Sequence, residues 1–352
     1  MQKALLWLIL HLYCFFRGKG MVTLKDIALR LGISIRSVSH AVNNTGRLAP
    51  QTRKLILETV TEMGYVPNTA ARSLVTHRSK LIGVLVPFLS VSFYSLIISG
   101  LEAEARKSGY TLLLMNPPVA DDDYWSVCQQ MMQRKVDGIV LYPSWQVKKV
   151  AGFICRSNIP VVQLMDHSPE IGENFVAVEN YGAAKRAVHA LFDTGCRHVA
   201  MIAHNYNSPE VADRCRGFAE AVETRMPGVK PPVVESPVET EAARVKTLQL
   251  LKDHPETDGI FAASDFAALG AAQAVLEMGK KIPEDVSIIG FDNLDIASEQ
   301  LLYPLSTVAQ PKEEIGRAAG EMILQLIAGK KVEPVILDAP LIMRRTTRQY
   351  EV

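Results

Sequence analysis

Polar side chains crowded onto the start of a short helix can hydrogen-bond base edges and phosphates. Arg36, Ser37, Ser39, His40 and Asn43 stand in that pattern beside the apolar Ile35, all left pointing outward once Val38 and Val42 take the inner stripe. The elements that must position them are readable on either side. Thr23 with Asp26 is a capping-box-like start. Leu24, Ile27, Ala28 and Leu31 share one helix face, Gly32 closes it, and Ser34 caps the next helix. Two short amphipathic helices meeting at a glycine have the plan of a helix-turn-helix, whose second helix lies in the major groove. A helical hairpin inside a larger core is the alternative.

After Asn43 comes a polar loop through Arg47. Pro50 suits the first position of a third helix, whose buried side is expected at Leu55, Ile56, Val60 and Met63 and whose end is Gly64. Ala49 lacks the side-chain oxygen a good cap would supply. Charge is divided unevenly. Residues 21–80 hold nine Lys/Arg against three acids, whereas the 272 residues after them hold 26 basic against 34 acidic groups. A basic segment on an acidic body points to a nucleic-acid module attached to something else.

The first twenty residues carry a Lys, then an apolar run interrupted by His11. The run is short for a bilayer span, and no small-residue cleavage site follows. We read 1–20 as an upstream mis-start or disordered extension, with translation normally beginning at Met21. Arg17-Gly18-Lys19-Gly20 can be written in purine-rich codons, as a bacterial ribosome-binding site would be. Five scattered cysteines without a C-x-x-C pair form no readable zinc site or disulfide framework. No cofactor, no metal and no membrane partner are expected, and the location expected is cytoplasmic.

From Leu81 onward short apolar strands alternate with helices: strands at 82–86, 110–115, 138–141 and 161–164, helices at 95–107 and 125–135. The pattern restarts near Asn180, with helices at 181–193, 209–225 and 267–278 and strands at 198–203, 259–262 and 286–289. This predicts an α/β core of two doubly wound parallel-sheet lobes, with a small-molecule site in the crevice at the carboxyl ends of their strands. Asp265 and Asp292 each follow a strand end, where a carboxylate can accept ligand hydroxyls; Asp265 could instead cap the next helix. Trp145 could stack on a ligand or close a loop. Asp121–Asp123 reads as a solvated helix start rather than a metal site.

The ordered series TLKDIALRLGIS, VSHAVNN, TR, GYVPNTAARSL and IGVLVP resembles the headpiece and hinge of the LacI/GalR repressors. NYGAAKRAVHALFDTGCRHVAMI, DRCRGFAEAV, SDFAALGAAQAVLEMGKKIPEDVSIIGFDN and PLSTVAQPKEEIGRAA extend the resemblance to about Thr347, over a core similar to type I periplasmic sugar-binding proteins. The organisation implied is a headpiece over 21–67, a hinge helix over 68–79 and a bilobal effector-binding and dimerisation core over 80–347. By the resemblance Ile35, Arg36 and His40 read bases. Thr23, Ser34, Ser37, Ser39, Asn43, Arg47, Thr52, Tyr65 and Asn68 complete the DNA contacts, mainly to phosphates. Ala71, Arg72 and Leu74 belong to the hinge, with Leu74 a minor-groove wedge or a plain linker residue.

The effector site implied is lined by Phe93, Tyr94, Arg214, Asp265, Phe266, Asp292 and Gln310. The sequence departs from the family at His40, Ile35, Glu179 and His167. His40 stands where Arg is frequent and could equally hold a phosphate. The partners implied are a pseudo-palindromic double-stranded operator, a small effector such as a sugar, and a second copy of the chain in a homodimer or tetramer. A transport-type solute-binding protein is the competing reading, and the basic headpiece argues against it. Enzymatic motifs such as G-x-S-x-G, Walker A and H-E-x-x-H are absent.

Overall fold

The chain divides into two compact units, residues 1–77 and 78–352. The computed structural model describes residues 22–66, 78–87, 92–116, 123–143, 147–204, 208–297 and 304–348. The expected extension, the hinge positions Asn68, Ala71, Arg72 and Leu74, and Trp145 lie outside the described residues.

In the first unit, helices α1 (Leu24–Leu31), α2 (Ile35–Val42) and α3 (Pro50–Glu62) pack around Ile27, Ala28, Val38, Ala41 and Ile56. Local chemistry sets their ends. Thr23 N–H donates to Asp26 Oδ2 at 2.8 Å and Asp26 N–H donates to Thr23 Oγ1 at 3.4 Å, a reciprocal capping box. Gly32 adopts φ 64°, the left-handed conformation that ends α1. Ser34 Oγ accepts the Ser37 N–H at 3.1 Å and starts α2. The third helix corrects one expectation: Leu55 is 53% exposed, and Thr59 is buried in its place. Ile56, Thr59, Val60 and Met63 recur at helical spacing and form the true stripe, a step of about 100° from Leu55. The Thr59 hydroxyl is accommodated there by donating to Leu55 O at 2.9 Å.

The second unit holds two six-stranded sheets. The first lobe contains β1 (Leu81–Leu85), α4 (Ser92–Lys107), β2 (Thr111–Met115), α5 (Asp123–Gln133), β3 (Gly138–Leu141), α6 (Val147–Arg156), β4 (Val161–Met165) and β5 (Phe175–Val178). The second contains α7 (Asn180–Asp193), β6 (Val199–Ala203), α8 (Pro209–Arg225), β7 (Val233–Glu235), α9 (Thr240–Asp253), β8 (Gly259–Ala262), α10 (Asp265–Glu277), β9 (Ser287–Phe291) and β10 (Ser306–Val308). The chain then returns: α11 (Lys312–Ile327) packs on α4, β11 (Val335–Leu337) joins the first sheet beside β5, and β12 (Leu341–Ile342) joins the second.

Sheet order is β11-β5-β4-β3-β1-β2 in one lobe and β12-β10-β9-β8-β6-β7 in the other. All pairings are parallel except β10 with β12. The repeated order gives both lobes the same switch point, and the two-lobe α/β expectation holds. Buried runs such as Val199–Ala203 and Gly259–Ala262 explain it: strands covered on both faces need no polar alternation. The helices at 147–156, 240–253 and 312–327 and the strands β5, β7, β10, β11 and β12 were not anticipated. Among the described residues no helix is long and apolar enough to cross a membrane, and no group of three metal-ligating side chains occurs.

Candidate functional site

Two places gather the candidate polar side chains. On the first unit, α2 turns Val38 and Ala41 inward and leaves Ile35 (48% exposed), Arg36 and Asn43 exposed, with Ser37, Ser39 and His40 half-buried. Some of these groups hold one another. Asn43 Nδ2 donates to Ser39 O at 2.9 Å, and the Ser34 and Ser37 hydroxyls lie 2.9 Å apart. Arg36 Nε–H donates to His40 Nε2 at 3.3 Å, while His40 Nδ1 lies 3.1 Å from Thr45 Oγ1. A ring that accepts at Nε2 carries its proton on Nδ1, so Thr45 is the acceptor there. The imidazole thus braces Arg36 against the loop, and a Cβ on Gly46 would come within 2.8 Å of it.

Thr23 serves as the α1 cap, Arg47 is exposed, Thr52 is half-buried, and Tyr65 packs beside the helical core. Sequence reasoning missed Arg53. From α3 its guanidinium donates to Asn44 Oδ1 at 2.8 Å, and more distantly to the carbonyls of His40, Ala41, Thr45 and Gly46. It ties down the loop that follows α2.

The second place is the crevice between the lobes of the core. Tyr142 follows β3, Asp166 follows β4, His204 follows β6, and Asp292 follows β9. Phe93 and Tyr94 stand in the first turn of α4 with ring centroids 5.2 Å apart, edge to face, and Tyr94 meets Tyr142 at 6.4 Å. From the second lobe, α8 supplies Glu210 and Arg214. The Tyr142 hydroxyl donates to Glu210 Oε1 at 2.7 Å, directly across the crevice. Lys312, at the start of α11 on the first lobe, donates to the carbonyls of Asp292 (2.6 Å) and Asn293 (2.9 Å) on the second.

Arg214 is almost wholly buried. Its Nε–H donates to Asn180 Oδ1 at 2.9 Å and Nη1 to Ala263 O at 2.6 Å; Nη1 is 3.8 Å from Asp292 Oδ1, and the guanidinium lies 3.7 Å from the Phe291 ring centroid. Gln310 Nε2 donates to Asp292 Oδ1 at 2.6 Å. Asp292 sits at φ 111°, a left-handed conformation that costs a non-glycine residue about 1–3 kcal/mol and is held by its surroundings.

The structure therefore brings Phe93, Tyr94, Arg214, Asp292 and Gln310 into one cluster. Asp265 departs from the expectation: it is fully buried, with Oδ2 accepting Leu294 N–H (2.7 Å) and Oδ1 accepting Thr307 Oγ1–H (2.6 Å). Nor does it cap α10, since the cap is Ser264, whose Oγ accepts Ala267 N–H. Asp265 braces the loop carrying Asp292. Phe266 packs against the core. Glu179 accepts Gly182 N–H at 2.9 Å and so caps α7, and His167 stacks on Phe175. The residues missed, Tyr142, Asp166, His204, Glu210 and Lys312, had one usable signal: three of them directly follow a strand, as Asp292 does.

Burial and crowding of like charge dominate the electrostatics. Asp292 is raised by burial, against the lowering effects of Arg214, Gln310 and Lys312. Asp265 is raised by burial and by Asp292. Tyr94 is raised by burial, Glu210 and Asp292, and His204 is pushed down to about 4 by burial and Arg214. Asp166 is raised to about 7 by burial and by Glu210, with the His167 N–H opposing and Asp213 adding. Because the native value of Asp166 exceeds the unfolded one, about 4, its contribution to stability is full below that unfolded value and is lost as pH rises through 7. Asp166→Asn is expected to gain on the wild type by about 1–3 kcal/mol between pH 5 and pH 8.5, partial exposure damping the full linkage. Urea unfolding at several pH values tests this; a pH-independent difference refutes it.

Comparisons with known proteins agree with this layout. A model described as "Bacterial regulatory proteins, lacI family" matches residues 23–68, and a periplasmic binding protein-like domain model matches 188–347. The ribose operon repressor of Halalkalibacterium halodurans is 32% identical over 335 residues, covering 94% of this chain and 98% of that one. The lac repressor dimer bound to operator and an anti-inducer superposes with TM-score 0.84 at 24% identity, over 94% of this chain and 100% of that chain. The regulator CelR in complex with cellobiose superposes with TM-score 0.70 at 25% identity, over 92% and 99%. With a third of its residues shared along nearly the whole of a curated repressor, the chain belongs to the lacI family of bacterial regulatory proteins.

Proposed function

We propose that this chain is a sequence-specific transcriptional repressor whose operator affinity is set by a small, hydroxyl-rich effector held between the core lobes. It acts in the cytoplasm as a homodimer on a pseudo-palindromic operator and catalyses no reaction. The observation that carries the DNA half is α2, with an outward face of Ile35, Arg36, Ser37, Ser39, His40 and Asn43 on a segment of net positive charge. Asn68, Ala71, Arg72 and Leu74 serve as the hinge that enters the minor groove. The effector half is supported by the crevice cluster and by the sugar named with CelR and the operon named for the ribose repressor. Phe93, Tyr94, Arg214, Asp292 and Gln310 contact the effector, with Asp265 and Phe266 behind them. An effector acts by binding two lobe arrangements unequally.

The decisive experiment is a footprint of residues 21–352 on the DNA upstream of its own gene, with a salt titration. A protected pseudo-palindrome whose affinity falls steeply with salt supports the reading. Absence of any protection, with a ligand panel present, moves it to the transport-type solute-binding alternative.

The Arg36–His40 contact makes a finer prediction. If the imidazole positions Arg36, Arg36→Ala and His40→Ala are coupled, and the double variant loses less specific affinity than the two singles together, by about 0.5–1.5 kcal/mol. Gel shifts at fixed salt measure the cycle. Additive losses would mean that His40 touches DNA independently.

A further inference from the structure

Two shielded acceptors of the crevice cluster lack a donor among the described residues, as the nearby His204 Nδ1 and Ser208 hydroxyl lack partners. Glu210 spends Oε1 on Tyr142, and its Oε2 is shielded from solvent with no partner among the described residues. Gln310 is 4% exposed; its Nε2 is spent on Asp292 and its Oε1 has no partner among the described residues. A shielded acceptor without a donor is costly, so these oxygens are built to meet O–H or N–H groups from elsewhere. Cationic help is already committed. Arg214 is held by Asn180, Ala263 and Asp292, and Lys312 by the carbonyls of Asp292 and Asn293. His204, buried beside Arg214, is neutral near pH 7, and Glu210 acts electrostatically on Tyr94, Tyr142, Asp166 and Asp292 together. A phosphate or carboxylate entering here brings negative charge up to Glu210 and the buried acids Asp166 and Asp292, and among the described residues of the cluster no uncommitted cation meets it.

We propose that Glu210 is the charge selector of the crevice: it accepts a hydrogen from a hydroxyl or amine of an uncharged or cationic polyhydroxy ligand and excludes phosphorylated or carboxylated ones. Through Tyr142 the same carboxylate fastens one lobe to the other, which ties ligand charge to lobe closure. The proposal rests on the effector reading above.

The test uses the full chain and matched probes: ribose and ribose 5-phosphate, glucose and glucose 6-phosphate, adenosine and adenosine 5′-monophosphate, with glucosamine as an amine-bearing probe. Thermal shift identifies binders and calorimetry gives the affinities. An uncharged or amine-bearing probe is expected to bind, and a phosphorylated counterpart to bind at least about tenfold more weakly. Glu210→Gln should narrow that ratio by about tenfold, while Tyr142→Phe should weaken both members and leave the ratio unchanged. The unliganded melting temperature reports whether each variant is folded. A wild-type preference for a phosphate ester, or an unchanged ratio in Glu210→Gln, overturns the charge rule and leaves the effector reading intact. No shift from any probe overturns the effector reading, and the charge rule with it.

Discussion

Arg214→Leu is expected to lose about 3–5 kcal/mol of core stability and to abolish the response to any crevice ligand. Leucine fills part of the volume but provides none of the guanidinium's donors. Asn180 Oδ1 and Ala263 O lose their partners at 2.9 Å and 2.6 Å, and Asp292 loses its nearest buried counter-charge. Removing one partner from a buried charged network costs more than the network contributes net, because the remaining groups keep their desolvation penalty. Lysine would not rescue it, since a single ammonium cannot serve Asn180, Ala263 and the Phe291 face at once. Chemical denaturation of Arg214→Leu and of Arg214→Leu/Asp292→Leu tests the account. The double variant should recover part of the loss, as it removes the stranded carboxylate. A single-variant loss below about 1 kcal/mol would show that water repays what the guanidinium supplied.

Gly316→Ala is expected to destabilise the first lobe by about 3 kcal/mol or more. Helix propensity alone gives the opposite sign, because alanine exceeds glycine by about 1 kcal/mol in a helix interior. Packing decides. A Cβ at Gly316 on α11 would lie 1.9 Å from Ile97 O and 2.8 Å from Leu101 N on α4, and a Cβ at Gly100 on α4 would lie 2.1 Å from Glu313 O on α11. The two helices meet backbone to backbone at a pair of facing glycines, and neither backbone can yield without separating them. Gly320→Ala is the control. Its Cβ meets Glu104 Cβ at 2.7 Å and no backbone atom, so a shift of several tenths of an ångström relieves it and its cost should fall below that of Gly316→Ala. Thermal and urea unfolding rank the variants; equal costs would sink the backbone-contact explanation.

What the sequence by itself determined was local. The Thr23–Asp26 box, the Gly32 stop and the Ser34 cap were legible because each joins residues three or four apart, a spacing the helix fixes before any tertiary contact forms. The two lobes were legible from fully apolar strands alternating with helices, and the candidate ligand residues Arg214, Asp292 and Gln310 from the motifs around them. Only the tertiary structure decided which acids face the crevice. Both Asp265 and Asp292 come soon after a strand, Asp265 three residues past β8 and Asp292 directly after β9, yet the first is consumed by Leu294 and Thr307, 29 and 42 residues away. Tyr142 and Glu210 meet across 68 residues, and Arg214 finds Ala263 across 49. Leu55 reads as core by hydrophobicity and is exposed because α1 and α2 approach α3 along the Ile56–Thr59 line. Periodicity specifies which residues share a face of their own element; which face meets which neighbour depends on strand order and on the chain's returns between lobes, and these leave no mark at short spacing.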